Sequence, residues 1–175
     1  MRRTIALAAL TLVGACSGAK HEQPANQTQA GAPAGGSAQT FNQVVDGDVL
    51  TRMFRWWNDA YTKPDGFTAQ SFGQYFTADA VMQINGKVSA KGLDDLAAHF
   101  RMIQQRTQKV KINLPFRAAF SSPDGSKIYT YHTIDAEENG KPAKEMVMGY
   151  AELRDGKIAL INFLDMEGAP QPGAL

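Results

Sequence analysis

The chain has one cysteine among 175 residues, so no internal disulfide can form, and that residue alone cannot build a thiolate metal cluster. It also lacks an excess of either charge: 18 basic residues stand against 17 acidic, for a formal net charge of +1. That balance gives no electrostatic reason to expect nucleic acid as a partner, nor a polybasic hold on a membrane surface. A glycine-rich phosphate loop, a G-x-S-x-G elbow, an HExxH pair and a Cys/His ligand spacing are all missing. Nucleotide, serine-hydrolase and zinc chemistries therefore have no signature here, and neither a metal nor an organic cofactor is expected. The N-terminal apolar stretch, Ile5 to Val13, has about nine residues where roughly 20 are needed to cross a bilayer.

What is present begins with Arg2 and Arg3 ahead of that stretch, which together read as a secretory signal. The signal ends in Val13-Gly14-Ala15-Cys16, which resembles the lipobox of bacterial lipoproteins. The resemblance implies removal of residues 1–15 and lipidation of Cys16 by a diacylglyceryl group plus an N-acyl chain. The chain would then be held at the cell envelope, attached to the membrane only through its lipid; stable anchoring needs more than one acyl chain. Plain cleavage after Ala15 is the alternative and would leave a thiol with no role. Residues 16–40 are rich in Gly, Ala, Gln, Ser and Pro and carry no aromatic or large aliphatic residue. Such a segment cannot bury enough surface to offset its ordering entropy, so it reads as a flexible tether, with His21 solvated within it.

A folded domain is expected over 41–168, followed by a short tail, 169–175. Val49, Leu50, Met53, Phe54, Trp57, Ala60 and Tyr61 fall on one face of a helix, with Asp46 or Asp48 to cap it. Thr68 caps a second short helix that places Phe72, Tyr75 and Phe76 on one side. Val81 to Ile84 leads into Asn85-Gly86, a hairpin signal because both turn positions need positive φ. A third helix follows Gly92. From Val110 to Phe120 the period becomes two, as in a long strand, with Pro115 marking an edge or a bulge. Turns at Pro123-Asp124-Gly125, Asn139-Gly140 and Asp155-Gly156 separate three more strands. Their apolar residues occupy both parities, so neither face of the sheet reads as solvated. A homodimer through the sheet is the expected cover.

The run Tyr75-Phe76-Thr77-Ala78-Asp79-Ala80-Val81, then Ile84-Asn85-Gly86, then Lys91-Gly92-Leu93 through His99-Phe100, resembles the SnoaL-like branch of the nuclear-transport-factor-2-like superfamily. The resemblance spans about Phe41 to Met166. It implies an α+β fold of the cystatin-like roll kind, with a curved, mostly antiparallel sheet packed on about three N-terminal helices as a cone around an apolar pocket. Superfamily members use that pocket for isomerisation, dehydration, cyclisation, epoxide hydrolysis or plain ligand binding, so the fold does not assign a chemistry. The ketosteroid isomerase base position falls on Ile84, which cannot accept a proton, and this departs from that mechanism. SnoaL-type cyclases carry an acid near the end of the last strand, where this chain has Asp165.

Two candidates for acid–base work follow, Asp165 and His132. The simpler reading of Asp165 is a solvated strand end, and His132 also reads as a core or interface histidine. His99 reads as a partly exposed surface residue. Trp57, Tyr61, Tyr131 and Asn162 are candidate pocket or ligand-binding residues, with core packing the simplest role for Trp57. Two functions are left open: a tethered domain that binds a small apolar ligand or a partner, and a cofactor-independent isomerase, dehydratase or cyclase.

Overall fold

The structure, a computed structural model, describes residues 42–43, 46–107, 109–138 and 140–172. The expected signal, Cys16 and the tether lie outside the described residues. The described chain belongs to the unit Ser37–Leu175. Its elements are β1 (Asn42–Gln43), α1 (Val49–Tyr61), α2 (Ala69–Phe72), β2 (Phe76–Ile84), β3 (Lys87–Lys91), α3 (Leu93–Arg106), β4 (Lys109–Ile112), β5 (Ala118–Ser121), β6 (Lys127–Glu138), β7 (Lys141–Arg154) and β8 (Lys157–Glu167). Among the described residues no helix is long and apolar enough to cross a membrane.

Asp48 starts α1: its carboxylate accepts from the amides of Leu50 and Thr51 at 2.8 and 2.9 Å, supplying two of the helix's orphan donors with an acceptor. The apolar stripe of α1 is buried along its length. Asn58 fixes the helix to the sheet, donating to the carbonyl of Ile112 and accepting from its amide, both at 2.9 Å.

The second helix is shorter than its pattern suggests. It makes a single turn, Ala69–Phe72; Tyr75 lies beyond it and Phe76 opens β2. A spacing of four suits a helix face, but it also suits a turn followed by a strand. The Phe72 and Phe76 rings still meet, at 5.7 Å.

The stretch expected as one long strand is two. β4 and β5 both pair antiparallel with β6, Ile112 opposite Ile134 and Ala118 opposite Tyr131. The residues between them loop out around Pro115, whose bond to Leu114 is cis. Proline brings no N–H to a ladder, and the interruption falls on it.

The sheet runs β1-β5-β6-β7-β8-β2-β3, with β4 also on β6. Every pairing is antiparallel except the parallel β2–β8 contact. Two hairpins turn on Asn85-Gly86 and Asp155-Gly156, all four residues at positive φ, as a type I′ turn requires. Gly149 on β7 lies between Thr130 and Phe163. A Cβ at that position would come within 2.1 Å of the Asn162 carbonyl oxygen and 2.6 Å of the Phe163 ring. Only glycine leaves room for the neighbouring strand and ring at this position.

Alternation sorts β6, β7 and β8 into two faces. Thr130, His132, Val147, Ala151, Ile161 and Phe163 are buried on the inner face. Tyr131, Met148 and Leu164 stand in register on the outer one, where Met148 and Leu164 are 59% and 62% exposed. One end of the interior is filled by aromatic rings: Phe72 stacks on Phe100 and Phe67 at 5.5 and 5.9 Å, and Trp56 meets Phe72 edge-on at 4.9 Å. Trp56 thus belongs to this core.

Candidate functional site

The other end of the interior is hollow. A cavity of about 390 Å³ lies between α1, α3, β4 and the inner face of the sheet. Met53, Phe54, Met82, Ile103, Val110, Ile112, Ile134, Val147, Ile161 and Phe163 form most of its wall. The polar side chains on it are few: Ser89, His99, Thr107, His132, Glu145, Asp165 and the indole of Trp57.

His132 is 1% exposed and lies among the rings of Phe54, Phe163 and Phe116 at 5.1, 5.5 and 5.7 Å. Its Nδ1 is 3.3 Å from the Thr130 hydroxyl. Burial makes the charged form unfavourable and pulls its pKa down to about 4. At neutral pH this imidazole is uncharged, one nitrogen donating and the other accepting.

Asp165 is exposed at the rim of the same cavity. The side-chain amide of Asn85 donates to its carboxylate, and the Asn85 carbonyl accepts from the Asp165 backbone N–H at 3.0 Å. The turn residue of one hairpin thereby fixes the strand end of another. The resemblance-implied acid and the Asn-Gly turn are thus parts of one feature.

Strand register relates the two candidates. His132 is opposite Val147, and Val147 is opposite Asp165. The two side chains therefore flank Val147 on one face, separated by two strand spacings, about 10 Å. Glu145, two residues from Val147, shares that face and stands diagonal to both; it is half-buried and lines the cavity. The rim thus carries two carboxylates where the sequence pointed to one.

The remaining expected residues separate by parity. Trp57 lines the cavity. Tyr61 is buried beside it but is not part of its wall: its hydroxyl donates to the Thr107 carbonyl at 2.7 Å, and burial pushes its pKa up. Tyr131 and Asn162 stand on the outer face, away from the cavity. The Arg117 guanidinium lies 5.9 Å from the Tyr131 ring, and the Asn162 amide is 3.4 Å from the Tyr150 hydroxyl. His99 is partly exposed, as expected, but it also lines the cavity, and burial lowers its pKa. The described residues hold no group of three or more His, Cys, Asp or Glu able to grip a metal ion.

No family model and no curated protein matches this sequence. Solved structures do match in shape. An NTF2-like protein of unknown function from an Exiguobacterium species is 19% identical, with a TM-score of 0.55 over 70% of this chain and 99% of that one. An NTF2-like protein from Anabaena variabilis is 13% identical, with a TM-score of 0.53 over 70% and 88% of the two chains. A putative polyketide cyclase from Bacillus cereus is 13% identical, with a TM-score of 0.51 over 68% and 71%. The chain has the NTF2-like fold, an α+β cone with a curved sheet.

Proposed function

We propose that this chain is an envelope lipoprotein of the SnoaL-like branch whose cone binds a small, largely apolar molecule. The observation that carries this reading is the cavity of about 390 Å³, walled mostly by aliphatic and aromatic side chains with a few convergent polar groups, the usual make-up of a small-molecule site. A thermal-shift screen of apolar metabolites tests it. Some compounds should raise the melting temperature of the wild-type chain and leave V147F, which fills the hollow, unmoved. A panel with no hit, or hits that survive in V147F, would overturn the reading.

Two further parts of the proposal rest on other features. Two copies meet through the outer face, where Met148, Leu164 and Met166 are 59%, 62% and 62% exposed; an apolar patch of this kind marks an interaction surface. Sedimentation should give a dimer that M148K/L164K converts to a monomer. Lipidation at Cys16 is tested by labelling cells with a radioactive fatty acid, which should mark the wild-type chain and not C16A.

A second reading, cofactor-independent isomerisation, dehydration or cyclisation, is favoured by the register that sets His132 and Asp165 on either side of Val147. In that chemistry Asp165 is the base toward an activated C–H, and neutral His132 is a hydrogen-bond partner for the substrate oxygen. Exchange of the α-protons of a bound ketone in heavy water should be catalysed by the wild-type chain and lost in D165N.

A further inference from the structure

His132 lines the cavity, whereas Thr130, its hydrogen-bond partner, does not. The Nδ1 edge of the ring is thus turned toward Thr130 and away from the hollow. Nε2 has no hydrogen bond to any described residue. The side-chain nitrogens and oxygens that are both unpaired and fully enclosed include the Trp57 indole nitrogen but not His132 Nε2. Nε2 therefore touches free space, and the free space against this ring is the cavity.

Thr130 decides which nitrogen carries the proton. It is 3% exposed, and the acceptor within reach of its hydroxyl is Nδ1, at 3.3 Å. The opposite arrangement, Nδ1–H donating to the oxygen, would leave the hydroxyl proton buried and unpaired, which is unfavourable. Nδ1 thus holds the lone pair. Burial keeps the ring uncharged, so its one N–H is on Nε2, facing the hollow. A donor out of water calls for an acceptor. Neither lysine nor arginine is among the lining residues, so an anionic group seated at His132 would be buried without a cation. A neutral acceptor is what this wall suits.

We propose that Thr130 fixes His132 as an N–H donor toward the cavity, and that the site takes uncharged apolar molecules bearing a carbonyl oxygen. The proposal rests on the reading of the cavity as a small-molecule site and narrows it to one chemical class. The full chain made with nitrogen-labelled histidine reads the tautomer directly, because a ring nitrogen with a proton and one with a lone pair resonate far apart. His132 is assigned by its loss in H132F. The wild-type chain should show the Nε2–H form, and T130V, which removes the hydroxyl, a mixture of the two.

Benzophenone, diphenylmethane and diphenylacetate share a two-ring skeleton and supply the matching ligands. Benzophenone should bind about tenfold more tightly than diphenylmethane, the worth of one buried donor finding its acceptor. Diphenylacetate should bind weakest. In H132F the first two should come within about twofold of each other; if a variant does not fold, the wild-type tautomer and affinities decide. An Nδ1–H tautomer in the wild-type chain, a T130V spectrum like that of wild type, equal binding of the ketone and the hydrocarbon, or tightest binding of the carboxylate would overturn this proposal and leave the cavity reading standing. Binding of none of the three would overturn both.

Discussion

The two ends of this interior are built from the same elements and finished differently. At one end Trp56, Phe67 and Phe72 touch ring to ring, and Phe76 and Phe100 join that stack to the cavity wall. At the other, Ile134, Val147, Ile161 and His132 face a void. Adjacent residues of one helix serve them differently: Trp56 packs into the stack, while Trp57 both meets Phe67 and Phe100 and lines the hollow. Where rings stack, each side chain is held by its neighbours. Where the wall is aliphatic and faces open space, side chains have fewer partners, and the position is free to answer to what enters. The packed end carries much of the stability, and the hollow end is the one the proposed ligand site uses.

That contrast can be broken by truncating each end in turn. Phe72→Ala should cost about 3–5 kcal/mol of folding stability, and Ile134→Ala, beside a void that already exists, about 2 kcal/mol or less. Denaturant unfolding measures both; equal losses would mean that the hollow is as tightly supported as the stack.

Acid sharpens the same contrast. His132 titrates at about 4 when folded and near 6.5 when unfolded. Above pH 6.5 neither state takes its proton and the group is indifferent. As pH falls from 6.5 toward 4 the unfolded chain is protonated first, and folding should lose about 3 kcal/mol through this one residue. Stability measured across that window should fall in the wild-type chain with an extra slope that His132→Phe removes. The smallest expected effect is at the mouth, where Asn85→Gly keeps the positive φ but removes the link to Asp165. It should cost about 1 kcal/mol, and ligand affinity should respond more than stability does.

Much of this architecture could be read without coordinates, because the signals were local. The α1 stripe, the Asp48 cap and the paired positive-φ turns each depend on a few neighbouring residues. What failed was register and path. Counted back from the Asp155-Gly156 turn, Val147 would oppose Leu164; a one-residue shift between Glu152 and Leu153 makes its partner Asp165 instead. A bulge leaves little trace in the pattern and exchanges the faces beyond it. The rim carboxylate pair therefore stayed hidden. Glu145 could have been found, since the Asn139-Gly140 turn alone sets it opposite Ile134. Tyr131 and Asn162 were misplaced for a related reason: both parities are apolar, so composition could not say which face was inside.

Gly149 has a consequence that reaches past its own strand. The bare backbone at that point lets the Phe163 ring lie against β7, and Phe163 is part of the cavity wall. One missing methyl thus meters the capacity of the vessel. A descendant with alanine at this position would have to shift β8 and the Phe163 ring, and the cavity would change size though the rest of its lining were unchanged.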